Sequence, residues 1–63
     1  MHAKAEELWQ RLVDANNEDG AALYNLANAQ SALGKLDAAL THYDAAIVET
    51  DDAALVKACR ANA

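Results

Sequence analysis

Residues 20–49 read GAALYNLANAQSALGKLDAALTHYDAAIVE. On both sides of Gly34, apolar residues recur every three or four positions, which is typical of one face of an α-helix. Gly34 stands where helices commonly end in a left-handed residue, and Asp37 can cap a following helix. The segment predicts two antiparallel helices, the first over about 20–33, joined by the short turn Gly34-Lys35-Leu36.

The flanking segments continue the helical pattern. A first helix is predicted over 2–15, and the polar run Asn16–Gly20 ends it, with Asp19 able to cap the second helix. Thr50-Asp51-Asp52 interrupts the apolar pattern after Glu49, and a short fourth helix follows to the C-terminus. The predicted fold class is all-α, with about four helices in antiparallel hairpins. Apolar residues mark the first helix at Ala5, Leu8, Trp9, Leu12 and Val13, and the fourth at Leu55, Val56 and Cys59.

The apolar pattern of the first helix recurs in the third helix. The lag, which is the difference between the numbers of two matching residues, is the same for every matching pair. A lag of 34 pairs Ala5 with Ala39, Trp9 with Tyr43, Leu12 with Ala46, and Val13 with Ile47. Small residues at Ala27, Ala39 and Ala46 let two helix backbones approach closely, while Leu26 and Tyr43 fill the space beside them.

The chain resembles the tetratricopeptide repeat (TPR) in this period and in its pattern of large and small residues. The matching positions are Leu23, Leu26 and Ala27 in the first helix of the repeat, and Ala39, Tyr43 and Ala46 in its second. Two positions depart, because Gln30 and Asp51 stand where Tyr and a helix-stopping Pro are common.

The resemblance implies a fragment of a right-handed α-solenoid. Residues 20–53 would form one complete repeat, residues 2–16 the second helix of a partial repeat, and residues 54–63 a capping or partial helix. Val56 and Cys59 occupy the apolar sites of this last segment. The lag that places them there is one residue shorter than the lag of 34 between the first and third helices.

The resemblance also implies protein–protein interaction on the concave face built from first helices. Residues of that face would hold a peptide or protein partner. The positions of this sequence that match the concave face of the family are Tyr24, Asn25, Asn28 and Ser31. Amides on a regular helix face can bond the backbone of an extended peptide.

Composition argues against several other functions. Ten acidic and five basic residues give a net charge of −5, which repels phosphate backbones and anionic lipid surfaces, so neither nucleic acid nor membrane is expected as a partner. A helix-turn-helix nucleic-acid binder remains a remote alternative, but its recognition helix would start at Asp37 rather than at a basic residue. The absence of an apolar run of about 18–20 residues predicts a soluble, cytoplasmic chain.

No enzymatic chemistry is expected. His2, His42 and Cys59 lack the close spacing of metal ligands, and Cys59 has no base near it in the sequence to activate a nucleophile. The sequence therefore predicts no catalytic residue, no metal site and no cofactor.

Self-assembly is the alternative function. A core of 63 residues supplies little net stability, and a single cysteine cannot form an intrachain disulfide. The first and fourth helices would lack their family partners, which predicts a homo-oligomeric scaffold, most simply a dimer. Two arrangements remain open: stacked hairpins, or fusion of the third and fourth helices with domain swapping. The expected interface comprises Trp9, Leu12, Leu55, Val56 and Cys59.

Overall fold

The structure, a computed structural model, describes residues 2–62, and for His2 it describes the backbone only. It contains helices α1 (His2–Ala15), α2 (Gly20–Ala32), α3 (Leu36–Glu49) and α4 (Ala53–Asn62). The prediction of four helices is confirmed, and residues 2–62 contain no strand. Met1 and Ala63, which the sequence-based domain boundaries include, lie outside the described residues.

Two aspartates cap helices. The Asp19 side chain accepts a hydrogen bond from the backbone nitrogen of Ala22 at 3.2 Å, as predicted for the start of α2. Asp52 does the same for α4, accepting from the backbone nitrogen of Ala54 at 2.9 Å. The predicted cap at Asp37 is wrong, because α3 begins one residue earlier. Asp37 lies in its first turn, where a negative charge still favours the helix N-terminus.

The chain leaves the helical path between α3 and α4. Thr50 has extended backbone angles, and its hydroxyl accepts a hydrogen bond from the backbone nitrogen of Asp52 at 3.1 Å. Side-chain bonds of this kind replace the helical bonds that a continuous helix would need. The fused-helix arrangement is therefore not present in the folded chain.

The centre of the fold is the hairpin of α2 and α3. All six residues predicted to pack between these helices are buried, and Leu26, Ala27 and Ala46 are fully so. The helices are joined through Gly34, whose φ of +82° is the predicted left-handed conformation. At the other end, a Cβ added to Gly20 would lie 2.9 Å from Thr50 Cβ, so only glycine permits this approach. The six residues are Leu23, Leu26, Ala27, Ala39, Tyr43 and Ala46.

The outer helices flank this hairpin. α1 packs against α2 and buries Val13, whereas α4 packs against α3 and α2 and fully buries Cys59. The burial of Cys59 agrees with the shortened lag of the last helix. On α1, Leu8 and Leu12 stay 57% and 45% exposed. No helix in residues 2–62 is long and apolar enough to cross a membrane.

Candidate functional site

The four residues expected to meet a partner lie along one side of α2. Tyr24, Asn28 and Ser31 are one turn apart, Asn25 lies beside them, and all four are half-buried. We refer to this set as the α2 face.

Hydrogen bonds from α3 and α4 hold the α2 face in place. The Tyr43 hydroxyl donates to Asn28 Oδ1, and Asn62 Nδ2 donates to the same oxygen at 3.1 Å and to the Tyr24 hydroxyl at 3.3 Å. The Tyr24 and Tyr43 rings pack at a centroid distance of 6.0 Å. Burial raises the pKa of Tyr43, so its hydroxyl stays a protonated donor at neutral pH. Three helices thus fix the position of Asn28.

The two asparagines of the α2 face are not equivalent. Asn28 uses its side-chain oxygen within the fold, whereas Asn25 donates from Nδ2 to the Ala21 carbonyl oxygen at 2.9 Å. A partner would therefore meet the amide nitrogen of Asn28 and the side-chain oxygen of Asn25. Together these groups form one donor and one acceptor, as the backbone of an extended peptide requires.

An apolar hollow of about 280 Å³ adjoins the α2 face. Leu36 and Leu40, both exposed, form much of its wall, and Ser31 belongs to both the hollow and the α2 face. The hollow was not predicted from the sequence, although Leu36 and Leu40 are one turn apart on α3 and widen the apolar surface of that helix. The lining residues are Ser31, Leu36, Ala39, Leu40, Tyr43 and Asn62.

A second polar cluster joins α1 to the hairpin. Lys35 Nζ donates to both carboxylate oxygens of Glu6, at 2.8 and 2.9 Å, and this bond holds the pKa of Glu6 below its ordinary value. The buried Gln30 also helps to lower the pKa of Glu6, and its side-chain oxygen accepts a hydrogen bond from His42 Nδ1 at 2.6 Å. The cluster is structural, because each member is engaged with another.

The residues expected at an assembly interface differ in how deeply the single chain buries them. Cys59 is fully buried within the single chain, and burial raises the pKa of its thiol. Leu55 and Trp9 are half-buried and pack against the core. Val56 is half-buried and Leu12 is exposed. Leu12 and Val56 are therefore the members with most surface left for another chain.

Within residues 2–62, no three His, Cys, Asp or Glu side chains lie close enough together to share a metal ion. Comparison of the chain with protein-family models, curated proteins and solved structures found no match. The features that bear on function are therefore the α2 face, the hollow beside it and the exposed residues of α1.

Proposed function

We propose that this chain is a protein-binding module of TPR type, not an enzyme, and that it holds a peptide or protein partner on the α2 face. The observation that carries this proposal is the position of the α2 face beside an apolar hollow. Preformed apolar concavities with a few fixed polar groups are the usual form of a binding site.

The order of the helices supports the TPR interpretation. α2 pairs with α3 through small residues, and α4 packs on both of them, as the first helix of a following repeat would. In such a solenoid the α2 face belongs to the concave side, where partners bind.

The chemistry of the site indicates the kind of partner. The Asn28 amide nitrogen and the Asn25 side-chain oxygen suit a peptide backbone, and the hollow has room for one or two apolar side chains. The net charge of −5 favours a basic or neutral peptide over an acidic one.

A displayed peptide library, panned against the full chain, tests this proposal. We expect basic or neutral peptides with an apolar residue, whose binding shifts the amide resonances of Tyr24, Asn25, Asn28 and Ser31. Leu40→Ser should weaken their binding about tenfold or more, because one leucine contact contributes about 1.5–3 kcal/mol.

Val48→Ser is the matched control, since Val48 is 78% exposed on the same helix and does not line the hollow. It should leave peptide binding unchanged. Equal effects of the two substitutions, or resonance shifts confined to the outer surface of α3, would contradict the proposal.

Self-assembly into a homo-oligomeric scaffold is the second candidate, and the exposure of Leu8 and Leu12 favours it. Sedimentation of the isolated chain tests it directly, since a folded monomer at every concentration would exclude it. No comparable observation favours nucleic-acid binding, because α3 carries neither Lys nor Arg from Leu36 to Glu49.

A further inference from the structure

The last turn of α4 contacts both features of the proposed binding site. Asn62 donates from its side-chain nitrogen to Asn28 and to the Tyr24 hydroxyl, both on the α2 face. The same side chain lines the hollow, together with Ser31 and Tyr43. A partner that lies on the α2 face and fills the hollow therefore meets α4 as well as α2 and α3.

One stripe of side chains holds α4 on the hairpin. Leu55, Cys59 and Asn62 recur every three or four residues, so they lie on the same side of the helix. Leu55 packs at the edge of the core and Cys59 is fully buried, but the third attachment is polar and exposed. The other residues of α4 are exposed or half-buried. So few buried contacts are typical of segments that open locally.

The connection between α3 and α4 lets α4 move as a unit. α3 ends at Glu49, and the three residues Thr50-Asp51-Asp52 are not helical. The bonds of Asn62 lie at the other end of α4 from this connection. Movement about the connection therefore separates Asn62 from the α2 face while α2 and α3 stay paired.

Opening of α4 also changes the α2 face. Asn28 Oδ1 accepts hydrogen bonds from both Tyr43 and Asn62, so it keeps one of its two donors when α4 leaves. The Tyr24 hydroxyl loses its bond from Asn62. Two donors fix the plane of an amide more firmly than one, so the outward direction of Asn28 Nδ2 depends on the docking of α4.

We propose that α4 is a movable wall of the binding site, and that a basic or neutral peptide in the hollow holds α4 closed through Asn62. In the closed form α4 is docked on α2 and α3, and in the open form it is separated from them. The inference rests on the proposed function of the α2 face, and it makes Asn62 a positioning residue for Asn28. Because the complete site exists only in the closed form, peptide binding and the docking of α4 stabilise each other.

Modification of Cys59 by a thiol reagent measures the opening of α4 in the chain without a partner. Asn62→Ala should accelerate the modification about threefold or more, because the closed form loses two hydrogen bonds. Alanine is the better helix former, so a weaker helix is not the cause of this increase.

Lys57→Ala is the matched control, since Lys57 is exposed on the same helix and does not line the hollow. It should leave the rate of Cys59 modification unchanged. If Asn62→Ala is modified as slowly as the original chain, the inference is wrong whether or not a peptide binds.

The tightest-binding peptide from the displayed library tests the coupling itself. At a peptide concentration about nine times its Kd, the open fraction should fall about tenfold, because only the closed form binds. The modification of Cys59 should slow by the same factor. Val48→Ser, which leaves the hollow intact, should show the same protection.

Amide hydrogen exchange distinguishes closure of α4 from a general gain in stability. The peptide should slow the exchange of α4 amides about tenfold. Amides of α1 that exchange by local opening should not slow, since no residue of α1 lines the hollow. A peptide that shifts the resonances of the α2 face but leaves α4 exchange unchanged, or slows α1 and α4 equally, would overturn this inference and leave the proposed function intact. Failure to select any peptide would remove the proposed function, and this inference with it.

Discussion

At Gly34 the backbone has a φ of +82°, and no atom outside Gly34 and its two neighbours in the chain lies within 4 Å of where a Cβ would be. The requirement for glycine there is purely conformational, since a side chain would meet open space. Gly20 is different, because a Cβ there would collide with Thr50. One glycine ends α2, and the other allows α2 to approach the end of α3.

Replacing Gly34 with L-alanine should lower the free energy of unfolding by about 1–2 kcal/mol, because an L-residue is strained in the left-handed region. D-alanine at the same position in a synthetic chain prefers positive φ and should cause no such loss. Chemical denaturation of the two chains measures the difference. Equal stabilities would show that residue 34 is not left-handed in solution.

Among the elements, α4 is the shortest, with 10 residues. It is held by the buried Cys59, by Leu55 at the edge of the core and by the bonds from Asn62 to α2. Its start depends on the cap from Asp52. Local opening of α4 is therefore the simplest route by which the Cys59 thiol becomes accessible.

Asp52→Ala should increase the rate at which a thiol reagent modifies Cys59. Loss of the cap should destabilise α4 by about 1 kcal/mol. Because the buried thiol reacts only when α4 is open, the rate of modification should rise roughly fivefold. Asp51→Ala is the matched control, because the side chain of Asp52, and not that of Asp51, bonds the first turn of α4. Equal rates for both variants would contradict the capping role.

Sequence periodicity predicted the four helices, the buried residues of the hairpin and the shortened lag at Cys59. These features are local or recur at a fixed spacing, so a single sequence reveals them. The start of α3 was missed by one residue because Lys35 precedes it without a side-chain cap. The hollow and the bonds of Asn62 were missed because they join distant residues, whose meeting depends on how α4 packs.

For the whole molecule, the bond between Glu6 and Lys35 ties α1 to the turn between α2 and α3. Because the folded pKa of Glu6 is lowered, its contribution is complete above the ordinary carboxyl pKa and is lost as pH falls through the folded value. Glu6→Gln should therefore lower the melting temperature at neutral pH, and the deficit should shrink in acid.

Glu18→Gln is the control, since it removes one negative charge from the turn after α1 without removing a contact to Lys35. The difference between the two variants isolates the bond. A deficit for Glu6→Gln that stays constant from neutral pH into acid would show that the carboxylate does not carry this contribution.

The packing of each helix on its neighbour in the sequence also determines how quickly the chain can fold. Within residues 2–62, the contact of α2 with α4 alone spans an intervening helix. Folding therefore closes short loops at small entropic cost, and helical domains of such low contact order fold in microseconds to milliseconds. A nucleus of α2 and α3 can form first, with α1 and α4 joining from either side, so substitutions in the outer helices should mainly accelerate unfolding.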